Sequence, residues 1–338
     1  MRILITGAPG WLGNRFAEIL THGYNGEGPL NDWHIRCLTF KNTNKSFIAE
    51  LSKMKEIECM DGDVQHLETL DKAFDGIDIV FHIAGIIHPH NTTEFYKINT
   101  KGTENVLKKC VEKGVKKMIM ISSNSVAGMR KTSDLMKETD PPAPYMHYGR
   151  SKYMAEMAVN RCFSEGKLKT VILRPCWYYG PNQPDRQTNF FRMIKKGDPV
   201  VYGGGNNLRS MSYLDNTCQA MLLAAEKEAA NGQTYWIADA VPYQIIEIYK
   251  TIARLLGVKN FRPRYMPGAV PAICRSLDGA LQSVSLYMKD IHVAGEMDHN
   301  IACSIEKAQN ELDYNPQVGL EEGMRRSIEW CRKHNIEI

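Results

Sequence analysis

A chain of 338 residues, 43% hydrophobic and 24% charged, has room for one large domain or two modest ones around a sizeable core. Its formal charge of +4, from 42 Lys and Arg against 38 Asp and Glu scattered along the chain, excludes the striped basic surface of a nucleic-acid binder. Nine cysteines without a CxxC pair argue against a zinc site and for reduced thiols in a cytoplasmic setting.

The chain begins "MRILITG", an apolar run over 2–6 that meets glycine without the long apolar core of a signal peptide. Three glycines, Gly7, Gly10 and Gly13, then open a helix, and the glycine- and proline-rich 23–33 reads as a surface loop. Further β-rich runs follow at 34–39, 56–60, 78–83 and 117–122, with one more at 169–174. Helical spacing fills the gaps, notably over 94–113, where Phe95, Ile98, Val106, Leu107 and Cys110 recur, and over 147–165. Strands alternating with helices imply a doubly wound parallel α/β sheet. After about 176 the texture changes: prolines, a "GGG" at 203–205, an amphipathic stretch at 267–288, and helices near 304–312 and 320–334. This divides the chain into a dinucleotide-binding core (1–176) and a smaller C-terminal substrate-binding lobe (177–338), interleaved with the core. The stretch 267–288 reads either as a packed lobe helix or as an apolar wall for substrate. No run of about 18 apolar residues is present, so no transmembrane helix is expected.

Chemistry enters at the first turn. After a strand, Gly7 permits the tight bend, Gly10 lets backbone approach a pyrophosphate, and Gly13 lets helix pack on strand; the helix N-terminus then faces phosphate. A second signal is "PYMHYGRSKYMAE" (144–156). On a helix, Tyr148 and Lys152 share a face, whereas Tyr153 points elsewhere and Tyr145 precedes the helix. A free tyrosine has a pKa of about 10, and a neighbouring ammonium favours its phenolate, which makes Tyr148 a workable general acid/base. His82, His88 and His90 are close in sequence, but His82 lies in an apolar strand and the others flank a proline, so no metal site is expected.

The spacing GxxGxxG and the ordered motifs "DGDV" (61–64), "HIAG" (82–85), "INTKGTENVL" (98–107), "ISSNSVAG" (121–128), "YGRSK" (148–152), "LRPCWYYGP" (173–181) and "RSMSYLDN" (209–216) resemble the extended short-chain dehydrogenase/reductase superfamily. That resemblance implies a Rossmann fold and a catalytic set of Ser123, Tyr148, Lys152 and Asn99. It also implies cofactor contacts from the loop residues Pro9, Trp11 and Leu12 with the three glycines. Further contacts would come from Asp63 and Val64, from Ile83, Ala84 and Gly85, and from Tyr148, Lys152 and Pro175. Ser125, Tyr179 and Arg209 would touch a small-molecule substrate. Helices 94–113 and 147–165 correspond to those that pair in dimeric relatives, which implies a homodimer.

In such folds an acid ending the second strand binds the ribose hydroxyls of NAD. Here the strand ends "CLTFKNTNK" with Lys41, Asn42 and Lys45 instead, which leans toward NADP over NAD, although Phe40 stands where many NADP-using relatives have arginine. Three activities compete: an oxidoreductase at a secondary alcohol or ketone, a nucleotide-sugar epimerase, and a non-catalytic dinucleotide sensor. The surviving Ser123, Tyr148 and Lys152 disfavour the sensor, and Asn124 in place of an acid disfavours a 4,6-dehydratase.

Overall fold

The computed structural model describes residues 1–40, 51, 54 and 57–338. Six strands of the first half, β1 (Arg2–Thr6), β2 (His34–Thr39), β3 (Ile57–Asp61), β4 (Ile79–His82), β5 (Lys117–Ile121) and β6 (Lys169–Pro175), join one parallel sheet. The strand Thr234–Ile237 completes it, and the order is Thr234–Ile237, β6, β5, β4, β1, β2, β3. Apolar runs such as "IVFH" and "KMIMI" are buried at every position because helices cover both faces of the sheet. The order reverses between β1 and β4, so the crevice at the carboxyl ends of these strands is the place where an open α/β sheet takes its ligand.

The chain after 176 is not confined to a lobe. Helix Leu214–Glu226 packs on β5 and β6, and its strand Thr234–Ile237 is the sheet edge. A separate apolar cluster, with Phe191, Ile248, Ile252 and Ile328, forms the heart of the remaining lobe. The stretch 267–288 contains the helix Ala269–Ser283, whose Asp278 and Gln282 are buried while Ile273 is 64% exposed. The terminal helices run Glu306–Leu312 and Leu320–Lys333.

Two details of the first half position the site. The expected helix over 94–113 spans 93–112, with one π-helical stretch, Tyr96–Lys101, that carries Asn99. Helix Met146–Ser164 begins on a left-handed Met146 (φ 50°), an abrupt turn out of the preceding loop. No helix among the described residues is long and apolar enough to cross a membrane.

Candidate active site

A cavity of about 1200 Å³ opens over the carboxyl ends of the strands. Its floor is the glycine loop. Gly7 has φ +77°, and a Cβ there would lie 2.7 Å from the Ala84 nitrogen; at Gly13 a Cβ would lie 2.4 Å from the Gly7 carbonyl oxygen. Both positions therefore exclude a side chain. Helix α1 (Trp11–His22) starts on Gly10 with no side-chain cap, so its first N–H groups face the cavity unpaired by any side chain. A backbone cradle at a helix N-terminus suits a pyrophosphate, and these residues fit a dinucleotide.

Pro9, Trp11 and Leu12 line the same cavity with Asp63, Val64, Ile83, Ala84, Gly85 and Pro175. Trp11 donates its indole N–H to the Pro181 carbonyl at 2.7 Å, which ties the loop to the lobe. Phe40, 43% exposed, lines the cavity with Leu38 and Gly62. Lys41, Asn42 and Lys45 lie outside the described residues.

On the opposite side the three serines Ser122, Ser123 and Ser125 line the cavity with Tyr148. Ser123 Oγ accepts hydrogen bonds from Ser125 N at 3.2 Å and from Ser125 Oγ at 3.1 Å. Helix Met146–Ser164 reaches this loop because residue 149 is glycine: a Cβ there would lie 2.6 Å from the Ser125 carbonyl oxygen. Burial raises the Tyr148 phenol above its ordinary pKa, and a hydrogen bond with Ser123 and then the charge of Arg186 pull it back down.

Lys152 is held by a backbone carbonyl. Its ammonium is buried, donates to the Ile121 carbonyl at 2.9 Å, and does not line the cavity. It sits behind Gly85, where a Cβ would lie 3.3 Å from its Nζ. Desolvation lowers the ammonium to about 8, opposed by Glu156. Glu156 is in turn clamped by Arg174 through two hydrogen bonds of 2.9 and 2.6 Å. A second cation, Arg186, lines the cavity together with Tyr148. The i to i+4 spacing puts Lys152 on the right face, but the carbonyl ending β5 holds its head group.

Asn99 is not a simple cap. Its Oδ1 accepts from Ile86 N at 2.8 Å, and its Nδ2 donates to Ile86 O and Ser151 Oγ at 3.1 Å each. It fixes the backbone after β4, next to Gly85 and Lys152. His82 lies between the hydroxyls of Thr6 and Thr103, at 2.8 and 2.9 Å, and burial lowers it to about 3.

Tyr179 is a correction. Its hydroxyl donates to Asp239 at 2.5 Å, it is 2% exposed, and it does not line the cavity; Tyr178 does. Trp177 and Tyr178 both line the cavity, whereas Tyr179 is drawn into the lobe core by Asp239. Tyr145 also stays outside, its ring stacked on His292 at 5.2 Å. Nor is 267–288 an apolar wall. Asp278 and Gln282 of its helix hold His292, and the lining comes from Tyr287 onward, with Lys289, His292 and Glu296. Arg209 is buried and lines the cavity. Arg186 was not foreseen; its only sequence signal is a cation in the first turn of a helix after "GPNQPD".

Residues 4–267 match the 3-beta hydroxysteroid dehydrogenase/isomerase family. The chain belongs to that family. It therefore sits within the extended short-chain dehydrogenase/reductase superfamily, a group of nicotinamide-dependent enzymes. Sinorhizobium fredii y4nL, of uncharacterised function, is 40% identical over 98% of this chain and 95% of its own length. Short-chain dehydrogenase/reductase family 42E member 1 of Homo sapiens is 26% identical, covering 98% of this chain and 87% of its own. Among solved structures, DesIV, a dTDP-glucose 4,6-dehydratase from Streptomyces venezuelae with NAD and TYD bound, superposes with a TM-score of 0.79 at 22% identity. That match covers 99% of this chain and 98% of DesIV and speaks for the fold.

Proposed function

We propose that this protein is an NAD(P)-dependent oxidoreductase that moves a hydride at a secondary alcohol or ketone of a small molecule, with Tyr148 as general acid/base. The observation that carries this reading is the meeting of Tyr148 and Ser123 in the cavity whose floor is the glycine loop. A bound nicotinamide supplies the hydride acceptor or donor. In oxidation the Tyr148 phenolate takes the proton from the substrate hydroxyl, and Ser123 Oγ hydrogen-bonds the same oxygen and orients it. In reduction Tyr148 returns the proton to the carbonyl oxygen. Asn99 holds the backbone at Ile86 next to Gly85. Lys152 holds the Ile121 carbonyl one residue before Ser122, and so positions the serines as well as the helix that carries Tyr148.

A second reading, an epimerase working through a transient ketone, draws support from Arg209, a cation that sugar-nucleotide relatives use in this segment. Reduced cofactor distinguishes them: it accumulates in net oxidation and does not in epimerisation.

Cofactor preference follows from the end of β2. No acid occupies Thr39 or Phe40, and Lys41 comes next. NADP should bind at least as tightly as NAD, and Lys41→Glu should reverse that order in parallel fluorescence titrations. A wild type that clearly prefers NAD, unchanged by the substitution, sinks the lysine's role.

Assembly follows from surface composition. Val111, Met154, Met157 and Phe163, on helices 93–112 and Met146–Ser164, are between 37% and 43% exposed. Apolar side chains on adjacent helices suit a two-fold interface. Light scattering at micromolar concentration should give twice the chain mass of 38.3 kDa; a single chain mass refutes the dimer.

A further inference from the structure

The substrate half of the cavity contains two arginines and an ion pair for neither. Arg186, in the first turn of the helix Asp185–Lys195, lines the cavity half-buried. Among the described residues its guanidinium has no hydrogen bond and no carboxylate within ion-pair distance. Arg209 is 5% exposed, and its Nε is buried without a hydrogen-bond partner. Its Nη2 reaches only the Glu296 carbonyl oxygen at 3.4 Å and the Met297 sulfur at 3.9 Å. The carboxylate of Glu296 turns instead to His292 Nε2, at 3.6 Å.

The buried Arg209 guanidinium, left without counter-charge, costs free energy that the fold itself does not repay, and the half-buried Arg186 on the same cavity is likewise unpaired. Burial is the largest influence on both and lowers both below the ordinary arginine value. The missing partner is therefore an occupant of the cavity. The flat fork of a guanidinium matches a carboxylate or a phosphate through two parallel hydrogen bonds, whereas a neutral hydrocarbon skeleton leaves both forks empty. Arg186 lines the same cavity as Ser123 and Tyr148, so an anion on Arg186 shares that cavity with the reacting hydroxyl.

We propose that the substrate carries an oxyanion, a carboxylate or a phosphate, and that Arg186 and Arg209 bind it within the cavity where hydride is exchanged. This deepens the hydride-transfer reading, on which it rests. The two fail separately, because anion binding can be measured without turnover.

The protein is saturated with its nicotinamide cofactor, which fills the pyrophosphate cradle, and titrated calorimetrically with inorganic phosphate, pyrophosphate and malonate at low ionic strength. At least one of the three should bind one to one, phosphate-type probes marking a phosphorylated substrate and malonate a carboxylate. Arg186→Gln should weaken that binding about tenfold or more, the scale of a charged hydrogen bond lost in a partly buried site. Retained cofactor affinity in the variant shows that it is folded. No binding of any probe to the wild type, or equal binding to Arg186→Gln, overturns the proposal and leaves the hydride chemistry standing.

Discussion

Tyr148→Phe should lose about 10²- to 10⁴-fold in turnover, the range of a general acid/base, while keeping cofactor affinity close to that of wild type. The substitution removes one oxygen at the end of the Ser123–Tyr148 pair and leaves the glycine loop untouched. Its pH dependence has a defined sign. Burial raises the Tyr148 phenol above its ordinary value, so alcohol oxidation, which needs the phenolate, should speed up as pH rises. Ketone reduction, which needs the phenol, should slow over the same range. Tyr145→Phe is the control. Tyr145 stacks on His292 outside the cavity, and its hydroxyl lies 3.5 Å from Asp278, so its loss should be far milder. Steady-state rates for the two variants, with cofactor titrations beside them, decide the matter. If Tyr145→Phe abolishes activity and Tyr148→Phe does not, the catalytic tyrosine is misassigned.

Gly13→Val should weaken cofactor binding by roughly 100-fold without unfolding the chain. A Cβ at this position would lie 2.4 Å from the Gly7 carbonyl oxygen and 2.8 Å from the Ala8 Cα, both backbone atoms that no rotamer change can relieve. The loop or α1 must then shift, and the N–H groups that face the phosphates shift with it. Overpacking of this kind costs about 1–3 kcal/mol, and about 3 kcal/mol lost from cofactor binding is a weakening of roughly 100-fold. Gly268→Ala is the matched control, since a Cβ there meets nothing within 4 Å and needs no unusual backbone. Circular dichroism should stay near native for both variants, and the fluorescence titration should separate them. Equal cofactor affinity for Gly13→Val would refute the cradle.

The core was readable because its signals are local. The apolar runs that became β1, β2, β4 and β5 fall within a residue of the observed strands, and the glycine triplet marks its own turn. Ser123, Tyr148 and Asn99 sit on or next to such elements, and the cavity gathers the first two. Lys152 shows the limit of periodicity. Helical spacing gives the face of a residue, not the group that captures the end of its side chain, and here Ile121 takes the ammonium. In the lobe the errors grow. Trp177, Tyr178 and Tyr179 are adjacent, and only the distant Asp239, which takes the Tyr179 hydroxyl, decides that the last of them leaves the cavity. The stretch 267–288 is amphipathic, but its polar side holds His292 while its apolar side is exposed. Arg186 had no motif to announce it. Its meaning depends on the absence of a partner, and no sequence pattern records that.

The most direct test of hydride transfer at this site uses substrate labelled with deuterium at the carbinol carbon. The purified protein is incubated with nicotinamide cofactor and a panel of deuterated secondary alcohols that includes hydroxy acids and phosphorylated alcohols. Wild type should place deuterium on the nicotinamide with at least one member of the panel, and Tyr148→Phe should do so at least about 100-fold more slowly. Label transfer at the same rate in wild type and Tyr148→Phe, or no transfer from any member to tightly bound cofactor, would contradict the assignment of this cavity as a hydride-transfer site.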